Sequence, residues 1–224
     1  MKVYTNEKNL GDYPNRNKAA EYASGKYIKY LDSDDLIYPH GMEVMVKMIE
    51  QFPTAAYALS YAKAHEYRPY PFSLTPEEAY KEHFLQRGLF NEGPTSLIFN
   101  TEIFRKEGGF KVFKVYGDAE MLFRLSAKYP MVKMQPALTW WRQHEGQEFD
   151  LGHKNNEYFN GTYLLSMEFL ESENCPLNNS DRMRAVNRLK RYHARKILSL
   201  GLGSKKLKPA WNYLEILNCQ LKNY

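Results

Sequence analysis

The 224-residue sequence has little of what marks membrane, secreted or disulfide-rich proteins. It contains no run of about 18 apolar residues, so the sequence predicts no membrane-spanning helix. Its first residues, MKVYTNEKNLGD, are too polar for a secretory signal. Its two cysteines, Cys175 and Cys219, form neither a disulfide framework nor a metal-binding pattern, so we expect free thiols in a reducing cytoplasm.

The composition that is present is that of a globular protein. Hydrophobic residues make up 43% and aromatic residues 15% of the chain, which is enough for a sizeable core. The length suits one large domain, or one domain with an appendage. The net charge of +5 is a mild excess that fits proteins handling phosphates, nucleic acid or anionic membranes, and it does not separate these classes.

The first part of the chain alternates between predicted strands and helices. Strands are predicted at 2–5, 27–31 and 55–61, and helices at 18–24 and after Pro39, where apolar residues recur at helical spacing. This alternation has the spacing of βαβ units, which indicates an α/β sheet.

The rest of the chain divides at about residue 150. Before it, helices are predicted at 76–86, 101–107 and 118–128, and strands at 96–100, 132–135 and 138–142. Beyond it only helices are predicted, at 155–171, 181–200 and 210–221. We therefore predict a core domain at 1–150 and an α-helical C-terminal extension at 151–224. The basic stretch at 182–208 fits a solvated helix face, an anionic membrane surface or an acidic partner.

Three carboxylates, Asp32, Asp34 and Asp35, directly follow the predicted strand at 27–31. Ligands of open α/β sheets bind beyond the carboxyl ends of the strands. Clustered carboxylates repel one another unless a cation or hydrogen-bond donors offset the repulsion, and hard oxygen ligands favour Mg²⁺ or Mn²⁺. The alternative is structural: an aspartate caps the helix after Pro39 or closes a turn, which would use one or two of the three.

The segment NLGDYPNRNKAAEYASGKYIKYLDSDDLIYP resembles the nucleotide-sugar-binding core of family 2 glycosyltransferases, which have the GT-A fold. That family often reads Asn-x-Gly, then Arg-Asn before a short helix, Gly-(Glu/Lys)-Tyr-Ile, and an Asp-x-Asp-Asp ending. The matching positions are Asn9, Gly11, Arg16, Asn17, Gly25–Ile28 and Asp32–Asp35. The resemblance implies a GT-A-like, Rossmann-related and mostly parallel sheet flanked by helices.

Three later segments fit the same family in the right order. GPTSLIFNTEIFRKEGGF resembles the acceptor-side strand and helix. YGDAEMLFRL resembles the segment whose aspartate is the catalytic base; this places the base at Asp118, with Gly117 where the family usually has Glu. WWRQHEGQ resembles the Arg-x-His motif, which places a metal ligand at His144 and a diphosphate contact at Arg142. On the residue pattern alone, Asp118 would more often be a helix N-cap.

The resemblance implies an inverting transfer of a sugar from a nucleoside diphosphate, most commonly UDP, to an acceptor hydroxyl. Mg²⁺ or Mn²⁺ would be held by Asp34 and His144, and Asp118 would take the proton of the acceptor hydroxyl. The implied donor-binding residues are Arg16, Asn17, Asp32, Asp34 and Arg142. Stacking of Trp140 or Trp141 on a sugar stays open, with core packing expected for at least one of them.

The implied cellular role is the biosynthesis of a surface polysaccharide or glycolipid. The acceptor would be a glycan or a lipid-linked glycan, and nucleic acid is not expected as a partner. We expect a cytoplasmic protein, with peripheral contact at the inner face of the membrane or a homo-oligomer as open alternatives. The competing interpretation of the same motifs is a non-catalytic or partner-dependent remnant of such a domain.

The family domain normally opens with a strand, a helix and a second strand, whose Pro-(Thr/Asn)-Tyr-Asn and Asp-Asp-Gly-Ser motifs are not in this sequence. We therefore expect a domain that lacks roughly the first fifty residues of the family pattern. A parallel sheet is buried on both faces, so the loss of a central strand predicts low stability, rescue by another chain or a rearranged sheet.

Overall fold

The computed structural model describes residues 2–60, 67–112, 116–144 and 157–203. The helices, in chain order, are α1 (Asp12–Glu21), α2 (Gly41–Ile49), α3 (Pro76–Lys81), α4 (Thr101–Lys106), α5 (Gly117–Ser126), α6 (Glu157–Glu171) and α7 (Asn179–Gly203). The strands are β1 (Tyr27–Ile28), β2 (Leu36–Ile37), β3 (Tyr57–Ser60), β4 (Phe72–Leu74), β5 (Leu97–Asn100), β6 (Met131–Met134) and β7 (Thr139–Trp140). A π-helical turn (Glu82–Gln86) follows α3, and a 3-10 turn (Pro94–Ser96) precedes β5.

A five-stranded mixed sheet in the order β1-β5-β3-β6-β4 forms the centre of the fold. The central strand β3 pairs in parallel with β6, with Ala58 opposite Val132, and every residue of both strands is buried. The α/β class is confirmed. The expectation of a mostly parallel sheet is corrected, because β1–β5, β3–β5 and β4–β6 pair antiparallel. Antiparallel strands need no crossover helix, so short flanking strands can join this way.

The two faces of the sheet bury different cores, because successive side chains of a strand point to opposite sides. On one face Ala58 and Val132 pack against Met45 and Ile49 of α2. The opposite face is aromatic and belongs to the cluster that also contains residues of α1, α3, α4 and α5. The sheet is therefore covered on both faces, as the hydrophobic runs of β3 and β6 require.

Several element boundaries differ from the sequence predictions. Residues 2–5 form no strand, and Val3 is 78% exposed. Helix α1 begins at Asp12 rather than at residue 18, because Pro14 lies in its first turn, where a proline is tolerated. The predicted strand at 27–31 is limited to β1, because the chain leaves the sheet at Lys29.

The C-terminal helices pack directly on the core. Phe169 of α6 stacks on Phe123 of α5 with ring centroids 5.2 Å apart, and Ala185 of α7 belongs to the aromatic cluster. Helices α6 and α7 confirm two predicted elements; the predicted helix at 210–221 and the predicted boundary near residue 150 lie outside the described residues. Among the described helices, none has the length and apolar character needed to cross a membrane.

We expect Gly161→Ala to destabilise the protein by about 1–3 kcal/mol, as for other overpacked sites. A Cβ at Gly161 of α6 would lie 2.1 Å from a ring carbon of Tyr116, next to α5, so the ring or the helix must move. The free energy of unfolding in urea measures this change. Gly93→Ala is the matched control, since nothing lies within 4 Å of its Cβ position; equal stability of the two variants would contradict the packing described here.

Candidate active site

The acidic loop, residues 32–35, is joined to the segment after β7. The backbone N–H of Asp35 donates to the carbonyl of Asp32 at 3.0 Å, which closes a turn. The carboxylate of Asp35 is buried and accepts from the backbone N–H of Arg142 at 3.0 Å. The β2–β7 ribbon, with Leu36 opposite Trp140, holds the same two segments together. The structural interpretation of the cluster therefore applies to Asp35.

A second link joins Asp34 to His144, which are 110 positions apart in the sequence. The Nε2 atom of His144 lies 3.0 Å from Oδ2 of Asp34, and both side chains are partly exposed, at 48% and 34%. The structure thus brings the two predicted metal ligands together.

The donor types and spacing of this pair fit a divalent cation. Two neighbouring ligands of an octahedral ion at about 2.0–2.1 Å lie about 3 Å apart, which is the separation of these two atoms. Among the described residues, no cluster of three or more His, Cys, Asp or Glu side chains completes a metal site. Mg²⁺ commonly takes one or two carboxylates and fills its remaining positions with water and phosphate, so a two-residue site is compatible with it.

Asp32 is held by an arginine of α1. Nη1 of Arg16 lies 2.7 Å from Oδ1 of Asp32, and Nε of Arg16 lies 2.7 Å from Oδ1 of Asp12. Burial acts to lower the pKa of Arg16, but the bonds to Asp32 and Asp12 outweigh it and raise the pKa above its ordinary value. Arg16 therefore stays charged and offsets part of the repulsion within the acidic loop.

Lys29 is a second cation beneath the loop, and the sequence prediction assigned it no role. Its Nζ donates to the carbonyl of Tyr30 at 2.6 Å and to the carbonyl of Thr95. Burial lowers the pKa of Lys29 to about 8, while the charges of Asp32 and Asp35 oppose this shift. Its signal in the sequence is a lysine inside an otherwise apolar and aromatic stretch.

Asn17 has a structural role that the sequence prediction did not include. Its Nδ2 donates to the carbonyl of Phe110 at 2.7 Å, and its Oδ1 accepts from the N–H of Phe110 at 2.9 Å. A Cβ at Gly109, where φ is +66°, would lie 2.5 Å from the same Oδ1. Asn17 thus ties α1 to the segment that leads to α5, and its contact with a nucleotide stays a prediction.

The arginine of the predicted base segment is structural as well. Arg124 is buried, pairs with both carboxylate oxygens of Glu120 at 2.8 and 3.0 Å, and donates to the carbonyls of Glu107 and Gly109. Arg124 thus fastens the turn after α4 to α5.

Asp118 lies in the first turn of α5 and is partly exposed. The N-cap alternative is wrong, because Tyr116 occupies the N-cap position. Burial raises the pKa of Asp118 from its usual 3.8 to about 6, while the hydrogen bond from the N–H of Ala119 and the charge of Arg16 oppose this rise. A carboxylate with a pKa near 6 is still ionised at neutral pH and is a stronger base than an ordinary aspartate.

Helix α1 links the two halves of the candidate site. Tyr13 contacts the start of α5, where Asp118 lies, and Arg16, one turn further along α1, holds Asp32. The charge of Arg16 also acts on Asp118.

The guanidinium of Arg142 lies 5.3 Å from the ring centroid of Trp140.

The two tryptophans before Arg142 are both exposed, Trp140 at 44% and Trp141 at 45%. The expectation that at least one of them is packed in the core is therefore wrong. The physical reason is the position of Trp140 on β7, in a two-stranded ribbon outside the main sheet.

Comparison with known proteins identifies relatives of one functional type. Residues 1–108 match the family model of glycosyl transferase family 2. A segment of 45 residues is 49% identical to an uncharacterized glycosyltransferase of Methanocaldococcus jannaschii and covers 20% of this chain and 16% of that protein. A segment of 63 residues is 40% identical to an uncharacterized glycosyltransferase of Rickettsia felis and covers 28% of this chain and 10% of that protein.

The fold is similar to crystal structures of S. aureus TarS. The structure of its residues 1–349 in complex with UDP-GlcNAc has a TM-score of 0.58 at 18% identity, covering 83% of this chain and 54% of that chain. A second structure of the same residues has a TM-score of 0.58 at 17% identity, covering 90% of this chain and 58% of that chain. The GT-A-like fold is thus confirmed, and the chain spans little more than half the length of these structures.

Proposed function

Because residues 1–108 match the family model of glycosyl transferase family 2, we propose that this chain is an inverting glycosyltransferase, which moves a sugar from a nucleoside diphosphate to an acceptor hydroxyl. The observation that carries the proposal is the meeting of Asp34 and His144, which come from distant parts of the sequence. A carboxylate and an imidazole at this spacing, on a loop beyond a strand of an α/β sheet, suit the binding of a diphosphate through a cation.

The donor would lie against the acidic loop. Asp34 and His144 would hold Mg²⁺ or Mn²⁺, which when bound neutralises charge on the departing diphosphate. Arg16 fixes one oxygen of Asp32, so the other oxygen can accept from a ribose hydroxyl or from water around the ion. Arg142 would contact the diphosphate. The UDP-GlcNAc in the TarS crystal structure favours a UDP-sugar as the donor.

Asp118 would act on the acceptor. Its carboxylate takes the proton of the acceptor hydroxyl while that oxygen attacks the anomeric carbon from the face opposite the diphosphate. The bond from the anomeric carbon to the diphosphate oxygen breaks, and its electron pair leaves with the diphosphate. One such displacement inverts the anomeric centre through an oxocarbenium-like transition state, with no covalent intermediate on the protein.

The acceptor would be a glycan or a lipid-linked glycan in the synthesis of a surface polysaccharide or glycolipid, and the protein would work in the cytoplasm at the inner face of the membrane. Helix α7 supplies a surface for that contact. From Arg182 to Lys208 every charged residue is a Lys or an Arg. On α7 the exposed side chains include Tyr192 and Leu198 beside Arg191 and Arg195, a mixture suited to an anionic lipid surface.

We expect Asp118→Asn to lower sugar transfer by about 10²–10⁴-fold, the usual contribution of a general base. The rate of UDP release, assayed with Mn²⁺ and a panel of UDP-sugars, measures this loss of activity. Because the base must be ionised, wild-type activity should rise with pH through about 6 and level off above 7.

Glu43→Gln is the matched control for this experiment, since Glu43 is an exposed carboxylate paired with Lys47 on α2. Equal activity of Asp118→Asn and wild type would contradict the assignment of the base. The absence of nucleotide binding even at millimolar concentration would favour the alternative, a non-catalytic or partner-dependent remnant of the domain.

The metal assignment predicts that Asp34→Ala and His144→Ala each weaken Mn²⁺ binding by at least about tenfold. Electron paramagnetic resonance of free Mn²⁺, titrated with protein in the presence of UDP, measures the dissociation constant. His40→Gln is the control, because His40 is exposed and lies outside the proposed site. Unchanged Mn²⁺ affinity of His144→Ala would refute the proposed ligand pair.

The membrane assignment predicts binding to phosphatidylcholine vesicles that contain roughly one-quarter phosphatidylglycerol, and weaker binding as salt increases. The double variant Arg191→Gln/Arg195→Gln should lose about fivefold in affinity for each arginine. Cosedimentation measures the bound fraction, and Lys26→Gln/Lys47→Gln, which removes two exposed cations elsewhere, is the control. Equal binding to neutral vesicles would rule this contact out.

A further inference from the structure

The first turn of α5 is capped from another helix. Backbone N–H groups at a helix start have no partner within the helix, and the side chain of the N-cap residue Tyr116 does not cap them. Instead, the hydroxyl oxygen of Tyr13 on α1 accepts from the N–H of Gly117 at 2.9 Å and from the N–H of Asp118 at 3.3 Å. The phenol thus takes the place that Ser, Thr or Asp usually fills.

The same hydroxyl faces the carboxylate of Asp118. Its oxygen lies 3.5 Å from Oδ1 of Asp118. Since that oxygen already accepts two N–H bonds, its own hydrogen is available for the carboxylate. Burial, followed by the negative charge of Asp118, raises the pKa of Tyr13 above its ordinary value, so the phenol keeps this hydrogen throughout the physiological range.

The surroundings hold the Tyr13 ring in this position. Tyr13 is buried and packs against Phe110, with ring centroids 5.6 Å apart. A Cβ at position 117 would lie 2.7 Å from two carbons of the Tyr13 ring. Gly117 and Tyr13 therefore fit each other: the absence of a side chain at 117 makes room for the ring that caps the helix.

We propose that Tyr13 is the positioning residue of the candidate base: its hydroxyl caps the first turn of α5 and orients the carboxylate of Asp118 toward the acceptor. This inference rests on the proposed function, in which Asp118 takes the proton. Tyr13 itself does not touch the reacting atoms and acts through Asp118 alone.

Other described groups also act on Asp118, among them its own backbone N–H, which lowers its pKa. From α1, the charge of Arg16 lowers the pKa of Asp118 and that of Asp12 raises it; within α5, the N–H of Ala119 donates to its Oδ1. A substitution at Tyr13 that keeps the ring leaves these groups in place. Its effect on Asp118 then reports the loss of the hydroxyl.

Tyr13→Phe tests the inference because it removes the hydroxyl and keeps the ring. Without the donor the ionised carboxylate is less stable, so the pH at which Asp118 titrates should move upward by about 0.5–1 pH unit. The acid limb of the pH–activity profile should move with it. At pH values where Asp118 is fully ionised, kcat of Tyr13→Phe should be lower than that of the wild type, while KM for the nucleotide sugar should stay unchanged.

Carboxyl carbon NMR, with the Asp118 signal assigned by its loss in Asp118→Asn, measures the titration without any need for turnover. Tyr80→Phe is the matched control. It removes another buried hydroxyl that bonds to α5, through the carbonyl of Phe123 at 3.0 Å, and should lower stability without moving the titration. Gly117→Ala, which keeps the hydroxyl and displaces the ring, should move the titration in the same direction as Tyr13→Phe.

The outcomes separate this inference from the proposed function. If Asp118 titrates in Tyr13→Phe as in the wild type, the positioning role is overturned, whether or not the enzyme is active. If the titration moves in Tyr13→Phe and not in Tyr80→Phe, the positioning role is supported. That result holds even where wild-type protein transfers no sugar, in which case only the proposed function fails.

Discussion

The ion pairs of Arg16 are the interaction on which the candidate site depends. Three carboxylates within four positions repel one another, and the loop keeps its conformation only because that repulsion is offset. Arg16 lies 2.7 Å from both Asp32 and Asp12, and Lys29 adds a second cation under the loop. The remaining carboxylate, Asp34, is turned toward His144. The protein thus compensates the acids internally and keeps the Asp34–His144 pair at the exposed side.

Helix α1 converts this local compensation into a connection across the whole site. Tyr13, Arg16 and Asn17 are spaced three and four positions apart, so they lie on one face of the helix. Each bonds a different segment: the start of α5, the acidic loop and the backbone before α5. A displacement of α1 would therefore change the acidic loop and the candidate base together. Coupling of this kind suits a reaction in which donor and acceptor must be held at one fixed separation.

Motifs in the sequence were enough to predict some contacts of the site. Contacts that depend on tertiary packing could not be predicted from it. The pairing of Asp34 with His144 and the α/β class followed from the motifs. The structural role of Asn17 did not, because it depends on a backbone turn 93 positions away. The same holds for Tyr13, whose only sequence signal was the glycine at 117. The end of the predicted strand at 27–31 was also wrong, because β1 stops at Ile28 and the side chain of Lys29 bonds to backbone carbonyls of Tyr30 and Thr95.

The carboxylates of the site differ in how their charge is stabilised, and this difference supports the separate tasks proposed for them. Asp35 is buried and bonded to a backbone N–H, and one oxygen of Asp32 is bonded to a guanidinium, so both residues help to hold the loop. Asp118 has no cation in direct contact among the described residues, and its charge is opposed by burial, which raises its pKa to about 6. A carboxylate that is neutralised makes a poor base, whereas one that is desolvated makes a better one. The environment of Asp118 therefore fits the proton acceptor proposed for it, and the environment of the loop fits the proposed binding surface.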